Sequence, residues 1–249
     1  MTRGVKVSFG LLALLIIVIG AATGYSYYRG LKQNITGIEI QGVKLLSPAE
    51  YLSFTKFDNR VFENIHLPGI KQRFEEHPYI KRADVEIKYD RTVVVTITEI
   101  DPLAVIKEEE DLFFVTQTKD VVSVIPGTDY IDYPFIINSS FDKEKPKQHF
   151  KKDVASAFTI VKTAMVINRQ LYNSLASVNV RGGGDVLLSL NDFSTVVILG
   201  KDNFTEKLFT LNQLIKEKER FTEPIASASY IDIRYKNYIY FGVEKSTGI

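Results

Sequence analysis

Apolar and polar positions along the chain change their period several times, and each change predicts an element. From Val7 to Tyr28 no side chain is charged, while Arg3 and Lys6 precede the run and Arg29 and Lys32 follow it. A helix of that length is roughly 33 Å long, enough to cross a hydrocarbon layer of about 30 Å. Tyr25, Tyr27 and Tyr28 stand where an interfacial aromatic belt sits. The run therefore predicts a single transmembrane helix over 7–28 behind a cytoplasmic tail of residues 1–6. Ala22-Thr-Gly24 also offers a small-residue cleavage site of the signal-peptide kind. The extension of the run past that site into aromatics and Arg29 favours an anchor.

Gly37 to Gly42 alternates apolar and polar positions and ends in glycine, as a half-buried strand does. Ser47-Pro-Ala-Glu50 then opens a helix: the serine can accept from a first-turn amide, Pro48 has no donor to lose, and Glu50 can bond back to the cap. A second helix is predicted over Pro68–Glu76, with Ile70 and Phe74 on one face, and His77-Pro78 stops it. Strands follow over Ile80–Tyr89 and Val93–Glu99, joined by a turn at Tyr89–Thr92. The order is β-α-α-β-β.

After Pro102 the pattern becomes mostly strand. Leu103–Ile106, Leu112–Val115 and Val121–Ile125 are separated by polar turns at Glu108–Asp111 and Thr116–Asp120. Val154, Phe158, Val161 and Met165 give one helix an apolar stripe, and Phe204, Leu208, Leu211 and Ile215 give another the same spacing. The two stripes point to helices flanking the faces or ends of a sheet, the second with Asn203 and Glu206 as a capping-box variant. Between them Ala176–Arg181, Asp185–Leu190 and Thr195–Leu199 read as three antiparallel strands. At the end, Ser229–Tyr235 and Tyr238–Phe241 flank Lys236-Asn237 and both alternate. Aromatic and charged side chains then share one face, while Ile231, Ile233, Ile239 and Phe241 turn inward. A terminal strand at a sheet edge offers unpaired amides and carbonyls to a partner peptide.

Composition adds limits. In 249 residues of 45% hydrophobic content there is room for one apolar span and two modest domains. A formal charge of +1 gives no long-range reason to expect nucleic acid. With no cysteine there are no disulfides and no thiolate metal sites. Glu108–Asp111 has none of the spacing of a calcium loop and reads as a solvated turn. Gly182-Gly-Gly184 joins two strands and reads as a hairpin turn rather than a phosphate cradle. His66, His77 and His149 form no metal-spaced pair and are expected at the surface or in turns. No nucleophile motif stands in supporting context. These readings point away from a catalytic residue, a cofactor, a metal and a small-molecule substrate. Sequons at Asn34, Asn138 and Asn203 matter only in a eukaryotic secretory route.

Four stretches together resemble the POTRA domain of the FtsQ/DivIB bacterial cell-division family: Ile38-Glu-Ile-Gln-Gly-Val43, Pro78-Tyr-Ile-Lys-Arg-Ala-Asp-Val85, the strand Val93–Ile97, and Glu99-Ile-Asp-Pro-Leu-Ala104. The sequence departs from the family in having no tryptophan, with Tyr79 and Tyr89-Asp90 at positions where the family often carries one. Further on, Leu199-Gly-Lys201 and Ile231-Asp-Ile-Arg-Tyr235 resemble segments of the family's β domain. The resemblance implies an α+β fold: an N-terminal transmembrane helix, a POTRA domain over 37–100, a mostly antiparallel β domain with two flanking helices over 101–243, and a tail of 244–249. It implies a single-pass, extracytoplasmic, non-enzymatic scaffold at the division septum. Such a scaffold binds FtsB- and FtsL-type bitopic proteins and helps recruit or regulate septal peptidoglycan synthesis. In the family a strand from FtsB docks near the Asp-hydrophobic-Arg-Tyr motif, which Arg234 and Tyr235 match. Tyr238, Ile239 and Tyr240 complete the expected partner-binding segment. The alternative is a POTRA-bearing transport or outer-membrane assembly factor that holds client strands, for which the chain lacks the strands of a barrel. A secreted hydrolase is a third reading that needs a polar cluster in a cleft.

Overall fold

Two sheets organise the chain, one in each of the units Met1–Ile100 and Asp101–Ile249. The computed structural model describes residues 14–25, 37–56, 67–129, 132–138, 152–191 and 193–243. Helix α1 covers 14–25, twelve residues with an exposed apolar surface from Leu14 to Ile19. Its described part is about 18 Å long. Among the described residues no helix is long and apolar enough to cross a membrane. The expected transmembrane helix is corrected on that finding, while the fold is α+β as expected; positions 7–13 and 26–28 of the expected span lie outside the described residues. Lack of charge measures only hydropathy.

The first unit continues with β1 (Gly37–Gln41), α2 (Pro48–Thr55), α3 (Leu67–Glu75), β2 (Ile80–Ile87) and β3 (Thr92–Glu99). Strand β3 is central, parallel to β1 and antiparallel to β2. The Ser47 hydroxyl and the Glu50 carboxylate form the capping box at the start of α2. Tyr51 on α2 and Ile70 and Phe74 on α3 are fully buried, as are Val93 and Val95 on β3. At the end of β3 the Glu99 carboxylate is buried. It accepts from the amides of Lys44 at 3.0 Å and Leu45 at 3.1 Å and from the Tyr51 hydroxyl. Burial, together with this bond to Glu99, pushes the Tyr51 phenol well above its ordinary pKa.

The second unit holds a nine-stranded sheet in the order β12-β11-β10-β9-β8-β7-β4-β5-β6. Its strands are β4 (Pro102–Glu108), β5 (Asp111–Thr116), β6 (Val121–Ser123), β7 (Phe135–Ile137), β8 (Leu175–Val180), β9 (Val186–Leu190), β10 (Phe193–Gly200), β11 (Tyr230–Asp232) and β12 (Tyr240–Gly242). The sheet is mixed. Pairs β4–β7, β7–β8 and β10–β11 are parallel, and the hairpins β4–β5, β5–β6, β8–β9, β9–β10 and β11–β12 are antiparallel. Helices α4 (Lys152–Ile167), α5 (Arg169–Ser174), α6 (Phe204–Lys216) and α7 (Thr222–Ser227) accompany it. Contrary to the expectation of two helices on opposite faces or ends, α4 and α6 pack on each other. Val154, Phe158 and Val161 share one core with Leu208, Leu211 and Ile215, over Val178, Leu188, Val197 and Ile231 of the sheet. Asn203 is the cap residue of α6 but sits at φ 50° with no side-chain capping bond, so the capping-box reading there is corrected.

Candidate partner-binding edge

Strand β12 lies at one end of the nine-stranded sheet and, among the described residues, pairs on one side only, with β11. The orientation of its backbone follows from its neighbours. The Ile233 amide donates to the Ile198 carbonyl on β10. In an extended strand both polar groups of a residue face one side and those of the next face the other. Ile231 and Ile233 therefore face β10, and Tyr230 and Asp232 face β12. Their register partners Gly242 and Tyr240 turn inward to meet them. Phe241 is left with its amide and carbonyl directed to the open edge.

The side chains alternate as well. Ile231 and Ile233 are buried, and Ile239 and Phe241 pack partly buried against the same core, Phe241 stacked on Phe221 at 6.1 Å. On the opposite face Tyr230 is directly across from Gly242. A Cβ at Gly242 would come within 2.5 Å of the Tyr230 ring, so the ring occupies the space that this glycine leaves free.

The five predicted residues are brought together here, though not all on the strand. Tyr240 is the first residue of β12, Arg234 follows β11, and Tyr235, Tyr238 and Ile239 belong to the connection between them. That connection turns at Asn237, φ 62°, with the Tyr238 amide donating to the Tyr235 carbonyl at 3.3 Å. Tyr235, Tyr238 and Tyr240 are 55%, 64% and 50% exposed. Their rings nevertheless touch: Tyr235 meets Tyr240 edge-on at 5.4 Å, and Tyr240 stacks on Tyr238 at 6.2 Å. The Arg234 guanidinium lies 5.8 Å above the Tyr235 ring.

Asp232, which the sequence reading left on the exposed face, is buried and anchors the arginine. Its carboxylate accepts from the Arg234 backbone amide, from Nε and, at 2.6 Å, from the terminal guanidinium nitrogen. Burial pushes the carboxyl pKa up, but the bonds from Arg234 and the nearby Lys207 charge outweigh it, and Asp232 is held below the usual carboxylate range. The same bonds raise Arg234. Only the repeated Ile-Asp-Ile-Arg alternation signalled this pair in the sequence, and alternation places the two residues on one face without saying that they bond.

Other candidates have structural roles. Gly182–Gly184 closes the β8–β9 hairpin, with the Gly184 amide donating to Arg181 and the Arg181 amide to Asp185. His77, expected at the surface or in a turn, is 3% exposed. Its ring meets Phe54 at 4.4 Å, Tyr51 at 4.8 Å and Tyr79 at 5.4 Å, and its Nδ1 accepts from the Tyr79 amide. His66 and His149 lie outside the described residues. Among the described residues no three histidine, aspartate or glutamate side chains gather as a metal site.

No family model matches the chain. It is similar to the cell division protein FtsQ of Geotalea daltonii, at 24% identity over 240 residues, which cover 91% of this chain and 83% of that protein.

Proposed function

We propose, from its membership of the FtsQ/DivIB cell-division family, that this chain is a non-enzymatic scaffold of the division machinery whose edge strand β12 takes up a strand of an FtsB- or FtsL-type partner. The similarity supports a role in cell division and protein partners within a division complex. The finer reading adds that the chain works on the extracytoplasmic side of the division septum and helps recruit or regulate septal peptidoglycan synthesis there. In this reading residues 37–100 are a POTRA domain and residues 101–243 the β domain that carries the binding edge.

One observation carries it: β12 is an open edge with the Phe241 amide and carbonyl directed outward, beside three exposed tyrosines and an arginine. Strand addition draws affinity from main-chain bonds and specificity from the alternate side chains. Tyrosine and arginine are the types most enriched among dominant contacts, and truncating such a residue often costs 2 kcal/mol or more. Binding of the full chain to a peptide of the FtsB-type protein from the same genome tests this. Tyr235→Ala is expected to weaken it roughly 10- to 30-fold, the equivalent of about 2 kcal/mol. A folded Tyr235→Ala variant that binds like the parent would place the interface elsewhere.

A further inference from the structure

We propose that Asp232 is a positioning residue for this edge: its buried carboxylate ends β11, fixes Arg234, and through Arg234 sets the orientation of the Tyr235–Tyr240–Tyr238 cluster before any partner arrives. The inference rests on the reading of β12 as the binding edge.

Three observations carry it. The first is that one carboxylate holds both the backbone and the side chain of Arg234. The bond from the Arg234 amide to Asp232 Oδ1, at 3.0 Å, is the two-residue side-chain turn by which an aspartate interrupts a strand, and β11 does end at Asp232. The bonds from Nε, at 3.0 Å to both oxygens, and from the terminal nitrogen then form a fork that admits one orientation of the guanidinium plane.

The second is the space made for this arrangement. Gly200, at the end of β10, has φ 81°. A Cβ there would lie 2.9 Å from Arg234 Cγ and 3.2 Å from Cδ. The arginine stem therefore runs directly over the glycine. Lys207 lies on the same side, 3.5 Å from that Cβ position, and its ammonium is itself tied to the Asp202 carbonyl and carboxylate at 2.7 and 2.9 Å. Its charge favours the ionised form of Asp232.

The third is continuity. The guanidinium held by Asp232 lies over Tyr235, Tyr235 meets Tyr240, and Tyr240 stacks on Tyr238. An ion pair between a buried carboxylate and a half-exposed arginine two residues away adds little net stability, because desolvation offsets the attraction. What the fork supplies is one fixed rotamer for an otherwise mobile side chain. Side chains ordered in advance need not be ordered by binding.

The test uses the full chain with fluorotyrosine in place of tyrosine, the resonances of Tyr235 and Tyr240 being assigned from single Tyr→Phe variants. Asp232→Asn keeps the size of the side chain and removes its charge, and Arg234→Lys keeps the charge and removes the fork. In both, the Tyr235 and Tyr240 resonances are expected to narrow and move toward the position of free fluorotyrosine. Affinity for the FtsB-type peptide is expected to fall about tenfold, mainly through faster dissociation. Arg234→Lys alters a half-exposed side chain and provides the reading if Asp232→Asn does not fold. Unmoved tyrosine resonances overturn the proposal. So do moved resonances with parental affinity in Asp232→Asn when Tyr235→Ala is weakened. If the resonances move and neither Asp232→Asn nor Tyr235→Ala binds differently from the parent, the positioning holds and the assignment of β12 as the binding edge fails.

Discussion

His77 and Glu99 show how much of the first unit depends on single polar side chains placed in its core. Burial among Tyr51, Phe54 and Tyr79 pushes the His77 imidazole down to about 4 from its ordinary 6.5. The folded state thus keeps His77 neutral while the unfolded chain begins to bind a proton below about pH 6.5. Its contribution to stability is present above that pH and is lost as the pH falls from about 6.5 to 4, by on the order of 3 kcal/mol. An NMR titration of the imidazole is expected to show a midpoint near 4, and a midpoint near 6.5 would contradict the burial. Glu99 works through hydrogen bonds. It accepts two amides of the 44–45 segment and a tyrosine hydroxyl, satisfying donors that would each be costly to bury alone. The sequence marked Glu99 only as part of a junction motif, and it placed His77 before a proline and expected it at the surface or in a turn. Neither burial could be read locally, because both depend on which elements pack over them.

At the scale of elements, local chemistry was the legible part. The Ser47 capping box, the turn at Tyr89–Thr92, the hairpins around Glu108–Asp111 and Gly182–Gly184, and the apolar stripes of α4 and α6 all follow from residues within one or two turns of each other. Asn203 misled because residue type and spacing fit a cap while its left-handed backbone carries the side chain away from the first-turn amides. Strand β7 was not legible at all: three residues, Phe135–Ile137, have too little alternation to announce a strand, and its parallel pairing with both β4 and β8 joins segments far apart in the chain. The proposed binding edge was legible as alternation, and its backbone orientation came only from the β10–β11–β12 register. That register makes an element-level prediction. Ile239 lies just before β12, two residues from Phe241; continuing the strand's alternation back to it directs its amide to the open edge, so Ile239→Pro is expected to remove a donor there without taking one from the β11–β12 pair. It is expected to weaken partner binding more than Tyr238→Ala, which leaves the main chain intact. Equal or smaller loss in a folded Ile239→Pro variant, as judged by circular dichroism, would mean that the partner does not use these main-chain groups.

For the whole molecule, the sequence reading anticipated mixed helix and strand before residue 100 and mostly strand after it, but not how the second sheet is ordered. A stripe says which side of a helix is apolar and not which neighbour covers it, so α4 and α6 were expected apart and are found packed together. The unbroken apolar run near the start was read as a membrane crossing, but among the described residues no helix is long and apolar enough to make one. At this scale the central claim is that a partner adds a strand to one edge of a nine-stranded sheet. Amide hydrogen exchange of the full chain, read residue by residue with and without the FtsB-type peptide, tests it most directly. Newly made main-chain bonds slow exchange at the residues that make them. The account predicts that the amides of Ile239 and Phe241 gain protection on binding, while β6, at the far edge of the same sheet, and β1–β3 in the first unit exchange as before. Binding accompanied by unchanged exchange at Ile239 and Phe241, with protection gained along β6 or in the first unit, would contradict it.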